Sequence, residues 1–285
     1  MFFPAISVAS IPGVFRACSL RAIAVFLLAL ALFMPLAQAG EAGEANALAA
    51  RAMELSGTRE ILEGTGKSID AQLASDPRVK KMTKQQRAEL TALLKDTLDG
   101  RRMTRELTTA LAASGDVVRL REAIATMDEP NFRKVTRLTV AESIKATDKI
   151  VADYARGLGK RPPDPERVRL IQRLDAATDG SQVLADIRYE MAAQLFGGMQ
   201  IPDREARLSQ LRAQIEASAP EEYVIRALYS SRNLGIKELE SYTRAHESEA
   251  MGWLARQVGY GSQKVMLDAM GRMLGAILEV AARGR

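Results

Sequence analysis

The chain is 285 residues long, 47% hydrophobic and 26% charged, with 5% aromatic residues and a formal net charge of +5. That is enough apolar material for one large core or two modest ones. The charge is too mild to argue for a nucleic-acid partner, and one cysteine with one histidine excludes a thiolate–imidazole zinc set. The apolar content leans on Ala and Leu, strong helix formers, rather than on the β-branched and aromatic residues that strands prefer, so the expected fold is all-α.

Residues 1–39 read as a signal peptide. Arg16 and Arg21 precede an uninterrupted apolar run, Ala22 to Met34, which Pro35 ends. Ala37-Gln38-Ala39 then supplies small residues where a signal peptidase cuts. The run is about thirteen residues, short of the ~20 that cross a bilayer core. Cleavage after Ala39 removes Cys18 and lowers the formal charge to +3. The expected location is the periplasm, where a chain without cysteine forms no disulfide.

Beyond a flexible lead-in (Gly40 to Glu44), helical periodicity runs to the C-terminus, broken by small turn residues. The expected helices are 45–55, 58–73, 83–98, 101–113, 117–127 and 130–157. Thr83-Lys84-Gln85-Gln86 has the spacing of a capping box, and Pro130 suits a first helical turn. Gly157 to Pro165 (GLGKRPPDP) reads as a linker, since adjacent prolines do not sit inside a helix. It divides an N-terminal half, 40–156, from a C-terminal half, 166–285. The second half reads as helices 166–178, 181–196, 203–217, 220–229, 236–254 and 262–282, with Gly259-Tyr260-Gly261 separating the last two.

The halves resemble each other. Arg51 to Leu73 laid on Arg173 to Leu195 without a gap pairs Arg51 with Arg173, Leu62 with Leu184, and Ala71-Gln72-Leu73 with Ala193-Gln194-Leu195. With three residues fewer in the connection, Val117 falls on Ile236, Leu120 on Leu239, Met127 on His246, Phe132 on Met251 and Val135 on Leu254. The expectation is two duplicated helical half-units packed together, of about eleven or twelve helices in all.

The MELSG segment, the helix ending in AQL, the capped MTKQQRAEL helix and the MDEP turn, together with ELESYTRAHESEAMGWL, carry a family resemblance. The chain resembles a family of small exported bacterial helical proteins known as a domain of unknown function. Where members have Ser-Pro, Ser248 is followed by Glu249; Gly252 stands near the usual glycine. The resemblance implies a location and a fold, with no activity, cofactor or catalytic residue to carry over.

The stretch Ile236 to Leu254 holds the only histidine, His246, and the only tryptophan, Trp253. Leu239, Tyr242, His246 and Trp253 share one helical face by spacing. A histidine among apolar side chains is a candidate general base, but the repeat sets it over Met127, a plain core residue. Packing, then ligand contact with Tyr242 and Trp253, ranks above catalysis. One histidine and no mature cysteine leave only hard cations, and no acidic loop has calcium-binding spacing, so no metal or cofactor is expected. No serine lies in a Gly-x-Ser-x-Gly context. The basic run with Arg78, Lys80, Lys81, Lys84 and Arg87 is a solvated helix start or a contact for anionic membrane headgroups. Arg188, on a mostly apolar face, is expected to extend its charged end to solvent.

The leading expectation is an exported, non-catalytic binding or scaffold protein of the bacterial envelope, its partner an unidentified envelope protein. The alternative is a carrier of an amphipathic or apolar ligand, held in a groove between the halves near Tyr242, His246 and Trp253. A carboxylate-dependent cell-wall hydrolase comes third.

Overall fold

The computed structural model describes residues 43–64, 77–197 and 203–283; the expected signal peptide and the Ala71-Gln72-Leu73 tripeptide lie outside them. No strand occurs among the described residues, and the fold is all-α. Helix α1 covers 43–55 and α2 begins at 58. From Pro77 eleven helices follow: α3 (Pro77–Lys80), α4 (Lys84–Thr97), α5 (Gly100–Ala113), α6 (Val117–Met127), α7 (Pro130–Lys145), α8 (Asp148–Leu158), α9 (Pro165–Thr178), α10 (Gly180–Gly197), α11 (Arg204–Ser230), α12 (Ile236–His246) and α13 (Glu249–Arg283). Residues 44–285 make up one compact unit.

Short polar side chains start these helices by satisfying free backbone N–H groups. Thr83 Oγ1 accepts from Gln86 N at 3.2 Å while Gln86 Oε1 accepts from Thr83 N at 3.0 Å, closing the expected capping box. Asp99 accepts from Arg101 N at 2.9 Å and Asp116 from Arg119 N at 3.0 Å, opening α5 and α6. Asp164 does the same for Glu166 N at 2.8 Å, with Pro165 in the first turn of α9.

Four boundaries differ from the sequence reading. The helix expected over 130–157 is two, because Thr147 caps a new start by accepting from Ile150 N at 3.3 Å; Ile144 and Ile150 beside the break are exposed rather than inward. The helices expected at 203–217 and 220–229 are one, with Pro220 inside α11. Gly259-Tyr260-Gly261 breaks nothing, and α13 runs through it for 35 residues. Gly261 is there for packing: a Cβ would lie 2.4 Å from Leu107 Cδ1 of α5. Finally, the stretch 236–254 is not one helix. It breaks at Glu247-Ser248, so Trp253 belongs to α13 while Tyr242 and His246 belong to α12.

Helix α13 packs on α4, α5, α6, α9 and α10, elements from both sides of the 157–165 segment. One apolar cluster joins Ala49, Ala52, Leu111, Leu120 and Met127 to Met251 and Leu254 of α13. A second joins Met53, Leu62, Met103 and Leu107 to Val265 and Ala269, again of α13. A third, Leu170, Ile171, Leu228 and Leu239, ties α9, α11 and α12.

The aligned positions behave alike. Helices α6 and α12 are both 11 residues long and each is followed by a two-residue break. Gly57 and Asp179, paired by the alignment, both take left-handed backbone angles, φ 72° and 54°, between their flanking helices. Arg51 Nη2 meets Asp128 Oδ1 at 2.9 Å, and its counterpart Arg173 Nη2 meets Glu247 Oε2 at 2.7 Å. The packing is reciprocal: α6 lies on α13, and α12 lies on α7. At one crossing Lys134 pairs with Glu238 at 2.5 Å; at the equivalent crossing Arg119 lies over the Trp253 ring, 6.0 Å from its centroid.

Candidate functional site

Two half-open pockets lie where α6, α7, α9, α10, α11, α12 and α13 converge. A cavity of about 260 Å³ is lined by Met127, Phe132, Tyr223, Tyr242, His246 and Met251, among others. A second, of about 380 Å³, is lined by Ile171, Leu174, Leu184, Ile187, Arg226 and Leu239, among others. The two adjoin, for Gly180, Val183, Tyr223 and Tyr242 line both. Each is at the small end of the range for ligand pockets. They are called here the His246 cavity and the Arg226 cavity.

Close contacts set the shared lining residues in place. Gly180 opens α10, and a Cβ there would fall 2.2 Å from Tyr223 Cε2, so only glycine lets that ring lie against the helix start. The Tyr223 hydroxyl lies beside Thr178, and burial pushes its pKa up to about 12. Tyr242 enters from α12; its ring packs on Phe132 at 4.8 Å between centroids. Burial, then the nearby Tyr223, pushes its pKa up to about 12 as well. Both rings keep some accessible surface because one edge of each faces the cavities. Both phenols are therefore neutral hydrogen-bonding groups at any ordinary pH. Thr136, buried on α7, lies beside the Tyr242 hydroxyl.

His246 is 8% exposed. Its Nδ1 lies 3.0 Å from Tyr242 O one turn back, which assigns the proton to Nδ1 and leaves Nε2 as an acceptor. The ring stacks on Phe132 at 5.4 Å and tilts against Tyr242 at 4.5 Å. Burial holds its pKa below the ordinary value, opposed only in part by the Tyr242 carbonyl. No carboxylate pairs with it among the described residues, so the triad geometry that would make it a general base is not formed there. On its far side lies a polar surface cleft of about 360 Å³ lined by Arg173, Glu247, Glu249 and Arg256.

Of the three residues expected to form a ligand site, Tyr242 and His246 line the same cavity. Trp253, carried onto α13 by the break at Glu247-Ser248, does not line it and instead packs half-buried against the cluster around Leu120. Tyr223, Gly180, Val183 and Arg226 went unnoticed in the sequence. Only Gly180 carries a signal, as the second residue of the turn-forming pair Asp179-Gly180. Arg188 does not simply reach into solvent; it pairs with Glu222, which also holds Arg226 Nε at 2.8 Å. The basic run sits at the α3–α4 corner. Lys80, Lys81, Lys84 and Arg87 are exposed there and make no ion pair among the described residues; Arg78 falls on α3.

Among the described residues no group of three or more His, Cys, Asp and Glu side chains is placed to hold a metal ion, and no helix is long and apolar enough to cross a membrane. Fold and site together define an all-α protein with paired, half-open and largely apolar pockets. No protein-family model, curated protein or solved structure matches this chain.

Proposed function

We propose that this is an exported, non-catalytic binding protein of two duplicated halves that carries an amphipathic or apolar ligand in the cavities between them. The observation that carries the reading is the pair of adjoining, half-open and largely apolar pockets around Tyr223 and Tyr242, a concave shape that suits an apolar ligand. It favours a carrier over a scaffold for an envelope protein. The matched ion pairs Arg51–Asp128 and Arg173–Glu247, and the reciprocal packing of α6 on α13 and α12 on α7, support duplication. The Arg16–Ala39 pattern supports export to the periplasm. The neutral His246, hydrogen-bonded to its own helix, supports binding over catalysis.

The test is native mass spectrometry of the protein purified from its own envelope, together with titration of a neutral fluorescent probe, N-phenylnaphthylamine. The expected results are a co-purifying small molecule and saturable probe binding. Val183→Phe, which projects a larger side chain into both cavities, is expected to weaken probe binding at least about tenfold, on the order of 1.4 kcal/mol. No bound molecule and no saturable binding by the wild-type protein would sink the carrier reading.

Lys80, Lys81, Lys84 and Arg87, exposed and without an ion pair among the described residues, favour in addition a peripheral contact with anionic headgroups. Co-sedimentation with phosphatidylglycerol vesicles is expected to fall steeply with salt, and to drop when Lys80, Lys81 and Lys84 are changed to Gln. Salt-independent sedimentation, or none at low salt, would remove this contact.

A further inference from the structure

The two cavities differ in charge, and the difference identifies the kind of molecule they take. Arg226 is the one charged side chain lining either cavity among the described residues; His246 is held neutral by burial. Around Arg226 the hydroxyls of Ser230 and Ser231 donate to Ala227 O at 3.2 and 2.6 Å, and Thr139 donates to Val135 O and Thr136 O, both at 3.0 Å. Their protons are committed to their own helices, so beside the exposed Ser143 hydroxyl the guanidinium is the charged donor available to a ligand at that end.

Arg226 presently binds two carboxylates of unequal standing. Glu222, one turn back on α11 and with its side chain 19% exposed, also pairs with Arg188 and is held in place from both sides. Asp148 accepts from Arg226 Nη2 at 2.6 Å, but its side chain is 90% exposed. An ion pair to so exposed a partner contributes little, and releasing Asp148 to water leaves a carboxylate that is already almost fully hydrated. What remains, Arg188–Glu222–Arg226, carries one net positive charge beside an aliphatic cavity. A single carboxylate neutralises it; a dianion or a cation does not. Beyond Arg226 the walls are Ile171, Leu174, Leu184 and Ile187, and past the two tyrosines Phe132, Met251 and Leu254 line the next cavity. Neither stretch offers a second charge.

We propose that the ligand is a single-chain aliphatic carboxylic acid, its carboxylate on Arg226 in place of Asp148 and its chain running past Tyr223 and Tyr242 into the His246 cavity. This rests on the carrier reading and deepens it. Chain length sets the apolar contribution, and the guanidinium–carboxylate contact, a charge-assisted hydrogen bond, sets the preference for acid over alcohol.

The experiment is isothermal titration of the full mature chain with dodecanoate, dodecanol and dodecyltrimethylammonium near neutral pH. Dodecanoate is expected to bind about tenfold more tightly than dodecanol, and the ammonium more weakly than either. Arg226→Gln is expected to bring the acid-to-alcohol ratio close to one. Asp148→Asn, which removes the competing carboxylate, is expected to raise dodecanoate affinity several-fold, a gain that damage to the fold does not produce. If dodecanol binds as tightly as dodecanoate, or if neither substitution moves the ratio, the acid assignment is overturned while the carrier reading stands. If none of the three binds, both fall.

Discussion

Replacing Gly100 by alanine is expected to destabilise the fold by about 3 kcal/mol, the upper range for forcing atoms into a packed interior. Gly100 opens α5 where that helix crosses α2. A Cβ would stand 2.3 Å from Leu62 O and 2.5 Å from Glu63 Cα. These are backbone atoms, so no rotamer change relieves the contact. Helix α5 would have to back away from α2, loosening the packing of Leu62 against Met103 and Leu107, all of them buried. Gly157→Ala is the control. It lies in α8 with nothing within 4 Å of its Cβ position, and is expected to stabilise by about 0.5–1 kcal/mol through helix propensity alone. Chemical denaturation of the two variants checks both; equal midpoints would mean that the α2–α5 crossing is looser than described.

The second large effect is a stability that depends on pH through one side chain. His246 is the only histidine, and burial among Phe132 and Tyr242 lowers its pKa in the folded state. Above the unfolded value of about 6.5 both states are neutral there and the fold loses nothing. As pH falls below about 6.5 the unfolded chain takes up a proton that the folded chain refuses. Stability then declines by up to about 1.4 kcal/mol per pH unit until the lowered folded pKa is reached. Carboxylates such as Glu142, Glu238 and Glu247 are held below their usual range, first of all by hydrogen bonds from Arg232, Lys134 and Arg173. Their losses begin only near the unfolded glutamate value of about 4.3 and run down to the lowered folded values, leaving the interval between about 5 and 6.5 to His246. Thermal unfolding of the wild type is expected to shift down by several degrees across that interval. His246→Met, which puts into α12 the residue that α6 has at Met127, is expected to flatten the dependence. An unchanged slope in that variant would mean that the imidazole is not buried neutral.

Much of the fold could be read from punctuation. The Thr83–Gln86 box marks a helix start in the sequence, because a hydroxyl and an amide at that spacing before an amphipathic run have few other uses; Asp99, Asp116 and Asp164 cap three more starts that the sequence reading does not assign. What misled was glycine and proline. Gly261 looks like a breaker in sequence, but its missing Cβ admits Leu107 from a distant helix, a purpose visible only once α5 and α13 meet. The break at Glu247-Ser248 has a sequence signal, since the alignment of the halves sets Glu249 on Pro130, itself a residue suited to a helix start. Tyr242 and His246 drew notice as rare residues in a helical stretch. Tyr223, Val183 and Arg226 are ordinary residues in ordinary helices, and only tertiary packing makes them neighbours of that stretch.

Helix α13 has a consequence for the order in which the molecule comes together. At about 1.5 Å per residue its 35 residues extend roughly 50 Å. It supplies Met251 and Leu254 to one apolar cluster and Val265 and Ala269 to another, while most of the remaining members of both come from α1, α2, α5 and α6. The first half to be synthesised therefore lacks the lid of its own core until the last helix arrives. Contacts so distant in sequence close late, and until they do Leu107, Leu120 and Met127 remain open to water or to a holding partner.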